Sequence, residues 1–426
     1  MITIDRSITP GFHTIEKLSF PEYQKIEIKK QLFLYALKAG TQAVIRLDFV
    51  FEAGLINQLI SAQATFTASM LSEGTKQKTA LELAEALDYY GSYFQTRANA
   101  DDAIATLYCL EKHLTNCLPL FLEALGESAF PEKELDIQKK NGLSKLLVNE
   151  KKNSYLCKKN YYKNMYGSNH PYASFNSKEN IQSIQKEIIQ SFYQSNYIKG
   201  LKYAMLSGNF SEGSTKLICD TIQSSDFEYN VISTPSNKIE TSIGNHFIEK
   251  SDSVQSALRI GRISIGRNHE DFRKLQFLNL IFGGYFGSRL MKNIREDKGL
   301  TYGIYSVLES NKLGSSWYID TDINTKNRDL GIVEIYKEIK KIQTEPIPNN
   351  ELETARNYYL GSFLKSLDGP FSLADRLKIM IDNNLPNSYY PEFVGILNSS
   401  TSDELQQLAN KYFSIENIVE VVVGKK

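Results

Sequence analysis

Five histidines, four cysteines and one glycine-rich run are the first places to look for chemistry in this chain. None of His13, His113, His170, His246 and His269 stands four residues from another, so no histidine pair can share one helical face around a metal ion. His113 and Cys117 do have that spacing. Cys117, however, falls on an apolar stripe with Leu114, Leu118 and Phe121, which reads as a buried structural thiol. The run GGYFGSR from Gly283 lacks the Lys-Ser/Thr ending of a phosphate-binding loop, and no GxSxG nucleophile motif occurs. The residues therefore offer no self-contained metal, nucleotide or nucleophile site.

The elements that would position a site follow one order twice. In the first half, VIRLDFVFEAG from Val44 alternates as a strand does. A helix is predicted from Ile56 to about Leu71, with Ile56, Leu59, Ile60, Phe66 and Met70 on one stripe. A second helix, TALELAEALDYYG, stops at Gly91. Strands through GSYFQTRANA and AIATLYCL, an apolar-striped helix from Leu114, a long polar helix from about Pro131 and the run LKYAMLSGNF complete the half. Part of the Ser/Thr/Asn-rich stretch from Ser211 to Asn245 reads as a connection. The second half then gives strand (ALRIGRISIG), helix (FRKLQFLNLIFGG), two strands (LTYGIYSVLES, SSWYIDTDIN), helices near Asp329 and Asn349, and a closing strand IVEVVVGKK. One α+β unit used twice, as residues 1–225 and 226–426, is the expected domain organisation.

The length of 426 residues requires more than one core. Lys+Arg and Asp+Glu both number 49, so nothing in the charge balance points to nucleic acid or an anionic membrane as a partner. The opening MITIDRSITPGFHTIEKLSF has no basic segment followed by an apolar run, and no stretch is apolar enough to span a bilayer. The cysteines show no CxxC pairing and read as reduced thiols. The expected location is the cytoplasm.

The most specific signal is FGGYFGSRLMKNIREDKGLTYGIYS, Phe282 to Ser306, flanked by SVQSALRIGRISIGRNHEDF and the closing VEVVVG. It resembles the C-terminal half of the insulinase-like (pitrilysin) zinc metallopeptidases. In the first half FEAG at Phe51, MLSEGT at Met70, LAEALDYYGSYF at Leu83 and SNHPYA at Ser168 fall in that family's order. The resemblance covers nearly the whole chain. It implies two homologous open α/β sandwich domains, each an antiparallel-dominated sheet with helices on one face, forming half of a clam shell that closes on a peptide.

Active members of the family carry H-x-x-E-H just before the Met of this ML-x-x-GT segment. The two histidines bind zinc and the glutamate is the general base. Here Thr65 and Ser69 stand at the histidine positions and Ala68 at the glutamate position. The third ligand, a glutamate, should fall near Gln138 to Lys140, where the nearest carboxylate is Asp136 just upstream. Hydroxyls are poor zinc ligands beside imidazole, and Ala68 cannot move a proton. No metal or other cofactor is expected in this chain. Arg295 and Tyr302, in IREDKGLTY, match a pair that in active relatives reaches the substrate carbonyl from the half opposite the zinc. With the zinc half erased and the Arg/Tyr half kept, the resemblance implies a non-catalytic subunit of a heterodimeric zinc peptidase. Its partner would be a homologous zinc-bearing subunit and its substrate a peptide, with Arg295 and Tyr302 acting in trans. The alternative is a structural or peptide-binding homologue without enzymatic role; Arg295 would then cap a helix end and Tyr302 would pack.

Overall fold

Strand-forming alternation and two sets of amphipathic helices give two sheets, described here from a computed structural model for residues 15, 18–230 and 238–426. The first sheet has the order β1-β2-β6-β3-β5-β4, with β1 (Gln24–Lys29), β2 (Leu32–Lys38), β3 (Val44–Phe51), β4 (Tyr93–Ala98), β5 (Ala103–Leu110) and β6 (Leu201–Gly208). The second has the order β7-β11-β8-β10-β9, with β7 (Gly244–Glu249), β8 (Gln255–Ser264), β9 (Thr301–Asn311), β10 (Gly314–Asn324) and β11 (Val419–Gly424). Each is antiparallel except for one pair, β2/β6 in the first and β11/β7 in the second. The shared topology, with little sequence left in common, is that of one unit used twice.

Between β3 and β6 the chain forms α1 (Gln63–Met70), α2 (Ala80–Asp88), α3 (Leu114–Gly126), α4 (Glu132–Glu150), α5 (Asn153–Tyr166), α6 (Lys178–Ser183) and α7 (Lys186–Tyr193), and α8 (Glu212–Ser224) follows β6. The second half contributes α9 (Phe272–Asn279), α10 (Arg328–Thr344), α11 (Asn349–Lys365), α12 (Pro370–Asp382), α13 (Phe393–Ser399) and α14 (Ser402–Tyr412). The predicted strands and helices are present, with one correction. The stretch 56–71 is not one helix: a short turn at Leu55–Asn57 is followed by a break, and α1 begins only after Ala62, whose φ is 79°. In the break the Gln63 carboxamide oxygen accepts the Leu59 N–H at 2.9 Å, a local bond that competes with helix. Leu59, assigned to the apolar stripe, is 91% exposed. In the stretch read as a connection, 212–224 is helical and residues 231–237 lie outside those described.

The alternation along β3 sets up the packing. Ile45, Leu47, Phe49 and Phe51 join the main core of the first half, under α3 and α8. Phe49 meets Phe121 edge-on at 5.2 Å and Phe227 at 5.8 Å. Arg46, Asp48 and Val50 point to the other face. That face is not left to solvent: α12, from the far end of the chain, lies on it, placing Leu373, Ala374 and Leu377 against Tyr35, Leu37 and Met205. Reciprocally, α5 of the first half covers the second sheet, packing Cys157, Tyr161 and Met165 against Val419, Val421 and Val423. The expected helical layer is thus on one face of each sheet, and a helix contributed by the other half is on the second face. The second core centres on Trp317 stacked on Phe413 at 4.2 Å.

The covered polar face is paired throughout. Arg46 bonds Asp48 at 2.7 Å and Asp375 of α12 at 2.7 Å, and Thr106 donates to Asp48 at 2.6 Å. Lys378 of α12 lies between Asp102 and Asp382, while Lys202 and Tyr203 donate to Asp382 at 2.7 and 3.0 Å. Removing one partner of such a buried group costs about 3–5 kcal/mol, because the remaining charge stays uncompensated. Lys378→Met is expected to lower unfolding stability by about that amount. Chemical denaturation followed by circular dichroism checks it; a shift under about 1 kcal/mol would mean that solvent already screens the cluster.

Candidate functional site

Helix α1 carries Thr65, Ala68 and Ser69, the three positions that the resemblance aligns with the zinc motif. Thr65 and Ser69 lie one turn apart on its outer side and are half-buried, whereas Ala68 is buried. The Thr65 hydroxyl donates to the Ala62 carbonyl at 3.0 Å and the Ser69 hydroxyl to the Phe66 carbonyl at 3.0 Å. The Ala68 carbonyl accepts from Thr96 of β4 at 2.5 Å, which ties α1 to the sheet edge. Gln138, the seventh residue of α4, joins Thr65 and Ser69 along a single cleft of about 710 Å³. The positions that the resemblance pairs across some seventy residues therefore do fold together. Asp136, the nearby carboxylate, is exposed and does not line the cleft.

The donors in this cleft do not fit zinc. Both hydroxyl protons are given to carbonyls of the same helix, and Gln138 donates its amide to Glu73 at 2.9 Å. Burial raises the Glu73 carboxyl, more than the bond from Gln138 lowers it, which makes it a reluctant anion. Among the described residues no group of three or more His, Cys, Asp and Glu is placed to hold a metal ion. His113 stands beside Tyr90 and Cys117 is fully buried, its thiol pushed up by desolvation, as a structural thiol would be. His170 is buried, accepts the Tyr172 N–H at 3.2 Å and stacks on Tyr166, a structural placement. His246 and His269 engage the Ser242 carbonyl and the Asp271 N–H respectively, and His13 lies outside the described residues.

The far wall of the cleft is one that the sequence reading missed. Lys145 of α4, Lys158 and Tyr162 of α5, and Glu309 of β9 reach it from three elements. Tyr162 donates to Glu309 at 2.5 Å, so the two halves meet here. Nearby, Asp101 accepts from the Tyr172 hydroxyl at 2.5 Å and from the Lys312 N–H at 2.9 Å, and Tyr172 in turn accepts the Leu313 N–H at 2.9 Å. These bonds clamp the β9–β10 turn to the first half. The strand β4 pairs with β5 and with no other strand among the described residues.

Arg295 and Tyr302 lie elsewhere. Arg295 is in the last turn of the wide helical segment Met291–Asp297, and Tyr302 is the second residue of β9. Both line a second cleft, of about 950 Å³, that shares no residue with the first and also takes in Lys151 and Lys250. Tyr302 is 90% exposed, which a packing residue would not be. The Arg295 guanidinium lies 4.4 Å over the Phe286 ring. Among the described residues neither side chain has a hydrogen bond or ion pair.

With this geometry in view, comparison with known proteins is informative. Residues 61–175 match the family described as insulinase (peptidase family M16), and residues 183–359 match the peptidase M16 inactive domain. A Helicobacter pylori protein named non-peptidase homolog YmxG is 25% identical over 309 residues, 70% of this chain and 69% of that one. A Bacillus subtilis protein named uncharacterized zinc protease YmxG is 23% identical over 319 residues, 74% of this chain and 77% of that one. The fold is that of the crystal structure of a peptidase M16 inactive domain from Pseudomonas fluorescens, with TM-score 0.86, 23% identity, 95% of this chain covered and 98% of that one. A protease from Helicobacter pylori matches with TM-score 0.82, 16% identity and coverage of 95% and 100%.

The donor set makes a direct prediction. Purified chain, dialysed against micromolar zinc and washed, is expected to retain far less than one equivalent by plasma emission analysis. A stoichiometric, tightly held zinc would mean that the cleft supplies ligands that hydroxyls and carboxamides do not.

Proposed function

The chain belongs to the insulinase-like M16 peptidase family, and from that membership we propose that it is the non-catalytic subunit of a heterodimeric zinc peptidase. A homologous zinc-bearing subunit supplies metal and base. This chain completes the chamber around a peptide and presents Arg295 and Tyr302 to the partner's site. No zinc or other cofactor is held by this chain. No described helix is long and apolar enough to cross a membrane, and the cytoplasm is the location that goes with this reading. The two units, 1–225 and 226–426, divide the work: the first keeps the shell, the second keeps the polar pair.

The observation that carries the reading is an asymmetry. At the zinc positions Thr65 and Ser69 bond to their own helix and Ala68 is apolar and buried. In the second cleft a guanidinium and a phenol make no hydrogen bond or ion pair among the described residues, the guanidinium over the Phe286 ring and the phenol in solvent. Hydrolysis of a peptide bond develops negative charge on the carbonyl oxygen, and donors set in place before the reaction stabilise it. Arg295 brings a permanent charge and a planar donor fork, and Tyr302 brings one hydroxyl. The alternative, a structural or peptide-binding homologue without enzymatic role, gives Arg295 and Tyr302 no developing charge to stabilise.

Tyr302→Phe tests the proposal because the ring is kept and the exposed hydroxyl makes no bond that folding needs. In the assembled complex kcat is expected to fall about a hundred- to thousandfold, about 2.7–4 kcal/mol, with assembly by gel filtration unchanged. Arg295→Lys keeps the charge, loses the fork and is expected to fall between wild type and Arg295→Ala. Undiminished kcat for Tyr302→Phe in an intact complex would leave the structural homologue as the better reading.

A further inference from the structure

The cleft between α1, α4 and α5 has no part in that proposed function, yet it is not a scar. Its volume of about 710 Å³ is in the range of ligand pockets. Phe66, Tyr155, Phe175 and Ile181 form apolar walls. Lys145 and Lys158 stand at its edge, exposed, with no ion pair among the described residues. The carboxylate lining it, Glu309, is bonded to Tyr162. The lining thus carries two cations outside any ion pair, Lys158 also lying 5.8 Å from the Tyr162 ring, against one carboxylate whose charge the Tyr162 hydroxyl holds but does not cancel, so its balance is positive. We propose that this cleft binds the C-terminal end of a peptide, with a large apolar last side chain between the aromatic walls and the free carboxylate on Lys145 and Lys158.

The replaced zinc positions supply the second half of the recognition. A hydroxyl that donates to a carbonyl of its own helix turns only lone pairs to the cleft. Thr65 and Ser69 are both in that state, so each accepts from a main-chain N–H. Gln138 donates one amide proton to Glu73 and keeps its oxygen for the same task. A metal-bound centre attracts a carbonyl oxygen. A rim of neutral acceptors beside two cations suits the N–H groups and terminal carboxylate of a chain end, and it suits a fatty acid poorly, because a hydrocarbon tail would leave those acceptors desolvated and unpaired. The interaction needs this chain alone, so it stands or falls independently of the paired-subunit reading.

Calorimetric titration of the full chain with an N-acetylated tetrapeptide ending in phenylalanine tests it, with the C-terminal amide of the same peptide and decanoate as comparisons. The free acid is expected to bind with Kd below about 1 mM and the amide about tenfold more weakly or worse, the loss of a charge-assisted contact. The double variant Lys145→Gln/Lys158→Gln is expected to bring the acid down to the level of the amide without lowering Tm. Thr65→Val is expected to weaken acid and amide alike by about fivefold, the loss of one neutral hydrogen bond. Equal binding of acid and amide, no binding of the acid up to about 10 mM, or tighter binding of decanoate than of the peptide would each overturn the proposal.

Discussion

Each sheet needs a cover on its second face, and the chain meets that need by exchange. The strands β3 and β8 carry arginines, Arg46 and Arg259, on the side away from the main cores. A bare sheet could leave those side chains in water. Here α12 brings Asp375, Lys378 and Asp382 onto the first sheet, and α5 brings Tyr161 toward Arg259, which also holds Asp320 at 2.7 Å. The buried charges fix which helix lies where, because an unmatched partner would leave an ion without compensation in a region of low dielectric. The same exchange places α5 between the halves, and so creates the cleft that α1 and α4 close.

That constraint explains what the sequence made legible and what it did not. Alternation along VIRLDFVF identified β3, since Ile45, Leu47, Phe49 and Phe51 keep a period of two. The intervening Arg46 and Asp48 are buried too, and only the distant α12 makes them so. The hairpin of β1 and β2 was passed over because its turn uses Gln31 at φ 64° in place of the glycine or asparagine that usually marks such a turn. The break at Ala62 was hidden for a related reason: a left-handed alanine has no signature in an apolar pattern. At the cleft, the positions Thr65, Ser69 and Gln138 were readable through family resemblance. Lys158 and Glu309 were not, since they reach it from α5 and β9 by long-range packing that no local period encodes.

Hydroxyls and carboxamides at positions that the resemblance aligns with metal ligands pose a physical problem of their own, since a helix face of polar groups without a metal needs other partners. Here each has found one nearby: Thr65 and Ser69 in the preceding turn, Gln138 in Glu73, and the Ala68 carbonyl in Thr96 of the edge strand. The helix face is satisfied without metal, so nothing in its stability calls for zinc to return.

The second cleft is the opposite case. Tyr302 places an aromatic ring in water and Arg295 holds only the face of Phe286. Neither arrangement adds much to folding: the Tyr302 ring buries almost no area, and a half-buried cation over one ring is worth roughly 0.5–2 kcal/mol. A tyrosine ring kept in solvent with so little return inside the chain is better accounted for by contacts outside it. Phe286, the ring beneath the Arg295 guanidinium, is itself 58% exposed. In one chain, then, the hydroxyl protons of Thr65 and Ser69 are given to their own helix while the Tyr302 hydroxyl stands in solvent, and the difference follows from where each finds its hydrogen-bond partners.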